Sequence, residues 1–142
     1  MEKEFVPYDE SLALKELGFD ELCICIYNRE KSLRVSVFNN PNDRFKSVRL
    51  SYNNGKIPAP LYQQAFRWFK EKYKLMSCIT PCSDGEYIFT LYDLNKCDLE
   101  VFVEDIEIME SEDSYEFFEE AELECLKKLI DIVKLSHKTA TI

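Results

Sequence analysis

The chain has 142 residues, 46% hydrophobic and 13% aromatic, with a net charge of −9 at pH 7. That length suits one domain of ordinary size with a proper core, and the apolar content excludes a disordered chain. Three glycines and five prolines argue against fibrous structure, and no apolar run approaches the roughly 20 residues of a membrane-spanning helix.

In chain order, Pro7-Tyr8-Asp9-Glu10 opens a helix of about ten residues through Leu12, Ala13, Leu14 and Leu17, with Gly18 as its stop. Residues 22–27 are a nearly continuous apolar run, the mark of a strand covered on both faces. After the polar turn 28–31, Leu33, Val35 and Val37 alternate with Arg34 and Ser36 as a second strand, and 46–52 makes a third. Pro58-Ala59-Pro60 starts a helix over 61–73, whose Leu61, Tyr62, Ala65, Phe66, Phe69 and Tyr73 form a wide aromatic face with Trp68 at its boundary. A hairpin follows over 76–80 and 87–92, turning at Ser83-Asp84-Gly85. Leu99, Val101, Val103, Ile106 and Ile108 alternate with acids, which predicts one or two half-exposed acidic strands. The last helix spans 115–135, with the core stripe Phe118, Ala121, Cys125, Leu126, Leu129, Ile130 and Val133 and a frayed tail over 136–142.

The expected fold is therefore α+β in one globular domain over 1–142. Three helices pack on a mainly antiparallel sheet in the order α-β-β-(β)-α-β-β-(β)-α. A helix-plus-strands unit occurring twice is one way to read that order.

Charge is distributed unevenly. The thirty residues between Lys96 and Lys127 hold 13 of the 27 carboxylates and no lysine or arginine, leaving 14 acids against 18 bases elsewhere. Ionised groups are not buried unpaired, so this block is a surface feature that repels nucleic acid and attracts basic partners. It is either a plain solvated face or, in the more specific reading, an imitation of DNA phosphates. Lys31, Arg34, Arg44, Lys46, Arg49 and Lys56 form a modest positive stripe, but the net charge opposes direct nucleic-acid binding.

The six cysteines read as structural thiols. Cys23 and Cys25 share one face of a strand, Cys125 lies in a helical stripe, and Cys78-x-x-x-Cys82 lacks the companions of a zinc site. The opening Met1-Glu2-Lys3-Glu4 has neither the basic start nor the apolar stretch of a secretion signal, so a cytoplasmic location without disulfides is expected. The only histidine, His137, falls in the expected tail, and three glycines cannot build a phosphate cradle. The carboxylate run at 105–113 lacks the spacing of a calcium loop, and the close pairs at 119–124 suit a solvated helix end. No catalytic constellation, metal or cofactor is expected.

Three segments carry a resemblance: PYDESLALKELGFDE (7–21), APLYQQAFRWFKEKY (59–73) and EEAELECLKKLI (119–130). They resemble short, functionally unassigned proteins encoded by bacteriophages and mobile elements of gut bacteria. The likeness covers the three helices and not the hairpins or the acidic insert. It implies a small accessory protein made inside a bacterial host, of a kind that often acts by binding, including by blocking host defence.

The expectation is thus a non-enzymatic protein that binds a host or phage protein. Glu104, Asp105, Glu107, Glu110, Glu112 and Asp113 would steer the encounter, while Gln63, Arg67 and Trp68 would anchor it. The alternative is a small-molecule binder, such as one sequestering a nucleotide signal. It would use Tyr62, Trp68 and Tyr73 as an aromatic lining, with Arg67 or Arg49 facing phosphate. The wide aromatic helix permits a homodimer without requiring one.

Overall fold

The computed structural model describes residues 2–35, 55–98, 100 and 102–140, and within them the chain is α+β. Two compact units divide it, Met1–Tyr62 and Gln63–Ile142. The expected strand at 46–52, residues 36 and 37 of the second strand, and Arg44, Lys46, Arg49, Leu99 and Val101 lie outside the described residues.

In the first unit, helix α1 (Tyr8–Glu16) begins after Pro7 with Asp9 and Glu10 in its first turn, where carboxylates meet the exposed N–H groups. It ends in a Schellman motif: the Phe19 N–H donates to the Leu14 carbonyl and the Gly18 N–H to that of Lys15, with Gly18 at φ 98°. Strands β1 (Cys25–Tyr27), β2 (Leu33–Val35) and β3 (Ile57–Ala59) form an antiparallel sheet in the order β2-β1-β3. β1 is covered on both faces, whereas Leu22 and Ile24 just before it are exposed and Cys23 is buried. The continuous apolar run therefore splits into an alternating half and a fully covered half. The core gathers Phe5, Cys25, Tyr27, Ile57 and Ala59, with Tyr8, Leu12, Leu33 and Leu61 packed against it. At its rim the Val6 carbonyl accepts from both Ser11 Oγ (3.0 Å) and the Tyr27 hydroxyl (2.8 Å), tying the N-terminal segment to α1 and β1.

The second unit is built around a longer hairpin. Helix α2 (Tyr62–Tyr73) leads through Lys74, in the left-handed region at φ 58°, into β4 (Leu75–Pro81). β4 pairs along seven residues with β5 (Tyr87–Asp93), across the expected turn, where Gly85 takes φ 90°. The chain then makes a short helix α3 (Val103–Ile106) and strand β6 (Glu107–Glu110), which pairs with the other side of β5. Helix α4 (Phe118–Ala140) packs against β4 and β5.

Its buried stripe, Ala121, Cys125, Leu126, Leu129, Ile130 and Val133, agrees with the 3.6-residue periodicity. Phe118 does not join that stripe. It is exposed at the first turn, touching Tyr87 edge-on at 5.5 Å. Nor is there a strand at Val103, because the Asp105 carboxylate reaches back to the Phe102 N–H (3.3 Å) and caps a helical turn. α4 runs on through Ala140, so His137 sits on a helical turn with its ring 6.0 Å from Tyr73.

The two units do not repeat each other's topology. The first strand is central in one sheet and the second is central in the other, β2-β1-β3 against β4-β5-β6. Among the described residues no helix is long and apolar enough to cross a membrane.

Candidate functional site

Strand β6 is an edge of its sheet, and its sequence shapes that edge. The register passes from Leu91↔Met109 to Tyr92↔Glu107, leaving Ile108 without a partner in a bulge. Exposed Glu107 and Glu110 flank it, so charge and bulge together blunt the edge against strand pairing. Glu104 and Asp105 on α3, and Glu112 and Asp113 just past β6, are also exposed, so all six expected steering acids face water.

Beyond β6 the chain keeps pairing with β5. The Ser111 N–H donates to the Phe89 carbonyl (2.8 Å), while the buried Ser111 Oγ accepts from the Phe89 N–H (3.1 Å). Tyr87 and Tyr115 exchange two backbone hydrogen bonds of 2.8 Å. The Ser114 hydroxyl donates to the Glu86 carboxylate. These bonds hold 111–115 over the sheet and open a cleft of about 370 Å³ between that segment and α4. Phe89, Met109, Ser111 and Tyr115 contribute to its lining, with the Phe89 and Tyr115 rings stacked at 6.2 Å and 17°. Glu112, Asp113, Glu124 and Asp131 line it as carboxylates, and Lys127 and Lys128 as ammonium groups. Lys127 is paired with Glu124 at 2.8 Å. Burial first, then the charges of Glu124 and Asp113, push the Tyr115 phenol above its ordinary range against a lowering by Lys127. Burial is thus the main cause, and the neighbouring carboxylates add to it.

The acidic segment also carries apolar groups in the open. Phe102 is 75% exposed, Val103 61% and Phe117 54%, with Ile108 and Phe118 near 40%. One half-exposed acidic strand forms as the alternation suggests, β6 with Met109 half-buried, while Val103 and Ile108 of that alternation stay outside.

Helix α2 differs from its expected role. Trp68 is only 5% exposed, set edge-on against Phe69 (5.0 Å) and Tyr73 (5.4 Å), with Lys72 Nζ 4.9 Å over its ring. It belongs to the helix's buried stripe with Ala65 and Phe69 rather than to a boundary, so it presents no surface to anchor a partner. Tyr62, also 5% exposed, and Trp68 both lack the open ring face on which a ligand would stack. Gln63 and Arg67 are exposed and lie outside the cleft lining, and Tyr73 is half-buried. Glu112 and Asp113 are the two expected site residues that the fold brings into the cleft; Ser111, Tyr115 and Phe89 had no local signal, since their meeting depends on pairing across 22 residues.

Among the described residues no three His, Cys, Asp or Glu side chains converge closely enough to hold a metal ion. Comparison with protein-family models, with curated proteins and with solved structures yields no match.

Proposed function

We propose that this chain is a binding protein, without catalysis, that engages a basic protein partner through residues 102–118. The observation that carries the reading is the mixture on one short segment. Seven exposed carboxylates, the six expected steering acids and Glu116, share it with large apolar side chains held in water, Phe102, Val103 and Phe117 above all. A purely solubilising face has no use for exposed aromatics, and a mimic of DNA phosphates would need charge alone. Acids that steer and aromatics that desolvate on contact are what a protein interface combines. The resemblance of the three helical segments to phage and mobile-element proteins supplies the setting, a bacterial cell in which the partner is a host or phage protein, including one of host defence.

The test is affinity capture from bacterial lysate at low and at high salt, with three forms of the protein. The wild type should retain a basic protein that high salt releases. A variant with Glu104, Asp105, Glu107, Glu110, Glu112 and Asp113 changed to lysine should lose it, as should Phe102→Ser/Phe117→Ser. Capture of the same protein by the charge-reversed form overturns the proposal.

A further inference from the structure

We infer that the cleft between residues 111–115 and α4 is the anchor pocket of this binding face, and that it takes an arginine side chain of the partner. The inference rests on the reading of the face as one that binds a basic protein. At about 370 Å³ the cleft lies at the small end of the ~300–1,000 Å³ typical of ligand pockets, room for a side chain rather than a large ligand. Its charge selects a cation. With Lys127 bound to Glu124, the carboxylates of Glu112, Asp113 and Asp131 remain against Lys128 alone, and none of the three joins a salt bridge among the described residues. That balance repels phosphate and other anions. The cation is not a metal ion, because no three ligating side chains converge among the described residues.

The apolar lining then separates arginine from lysine. Half-buried Met109 and Tyr115 offer an apolar bed for a long stem, with buried Phe89 stacked behind the Tyr115 ring, next to carboxylates suited to a planar group with several N–H donors. Guanidinium is weakly hydrated, lies flat on aromatic rings and meets carboxylates with two parallel bonds, whereas ammonium holds its water and bonds as a point charge. The bonds from Ser111 to Phe89 and from Ser114 to Glu86 keep the lining segment in place before anything binds, so little ordering is lost on contact.

The experiment measures fluorescence anisotropy of labelled hexa-arginine and hexa-lysine peptides with the full chain at low salt. Hexa-arginine should bind about 3–10-fold tighter than hexa-lysine, the range that ring stacking and paired hydrogen bonds give. Glu112→Gln/Asp113→Asn should erase that preference, and Lys128→Glu, on the exposed side of α4, should tighten hexa-arginine binding several-fold. Both variants change exposed side chains, and circular dichroism checks that they fold. Equal binding of the two peptides, or an arginine preference that survives Glu112→Gln/Asp113→Asn, overturns the pocket while leaving the acidic face as a binder of basic proteins. Binding of neither peptide overturns the pocket and the proposed function together.

Discussion

Helix α4 and the segment just before it are both rich in apolar residues, yet they treat them in opposite ways. From Ala121 to Val133 the apolar positions recur at helical spacing and all six of the stripe are enclosed. From Phe102 to Phe118 the large side chains have no such period, and five of them stand in water. The first set supplies folding energy through burial, at about 25 cal/mol per Å² removed from water. The second supplies little to folding, and its apolar area stays available for a partner. Apolar content alone therefore does not identify a core; period and local charge decide. Between carboxylates a hydrophobe reaches the core only where the helical period turns its neighbours outward, as at Ala121 between Glu120 and Glu122, and 102–118 has no such period.

The contrast is broken most directly at Leu129, which is fully buried. Leu129→Ala should cost about 2–5 kcal/mol, seen as a lower urea midpoint with an unchanged slope. A change below 1 kcal/mol would mean that α4 is not packed as described. Ser111 comes next, where the two regions are joined. Ser111→Ala leaves the buried Phe89 N–H without its second-strand partner and should cost about 1–3 kcal/mol by the same denaturation measurement. Ser111→Thr keeps the hydroxyl and should recover part of that loss.

A smaller effect comes from pH. Burial pushes the Cys125 thiol from its ordinary 9.0 up to about 12, against a lowering by its hydrogen bond with Ser77. The folded value is the raised one, so this contribution to stability is full below pH 9 and is lost as pH rises towards 12, through ionisation in the unfolded chain. By pH 10 the loss should be on the order of 1 kcal/mol. Urea midpoints at pH 8 and pH 10 should therefore converge in Cys125→Ala relative to wild type. The tyrosines Tyr27, Tyr73 and Tyr115, also raised by burial, leave a residual slope of the same sign in both proteins.

Much of the frame was legible in the sequence, because it rests on local rules. The Gly18 stop, the turn at 83–85 and the stripe of α4 each follow from neighbouring residues. The errors lie where partners are distant or where two local rules compete. At Val103, strand-like alternation lost to a helical turn capped by Asp105. Helical spacing sets Trp68 at the boundary of the aromatic face, but the buried stripe runs through it. The last helix did not stop at 135, since no glycine or proline ends it there, and it carries His137 to Tyr73. The cleft was invisible altogether, because Phe89, Ser111 and Asp131 share no sequence pattern and meet only after β6 pairs with β5 and α4 folds over.

The smallest change in stability carries the sharpest test of the contrast. Phe102→Ser and Phe117→Ser remove aromatic rings that are 75% and 54% exposed, so each should shift unfolding by no more than about 0.5 kcal/mol. Deleting rings of the same size from the core would cost several times more. If either variant melts like a core mutant, the ring packs in solution and the distinction between the two regions disappears. If stability holds while the partner is lost, these aromatics serve binding and not folding. The same pair also separates aromatic contact from charge. Charge reversal of the six acids should change association rates and their salt dependence, whereas loss of the rings should raise dissociation rates at every salt concentration.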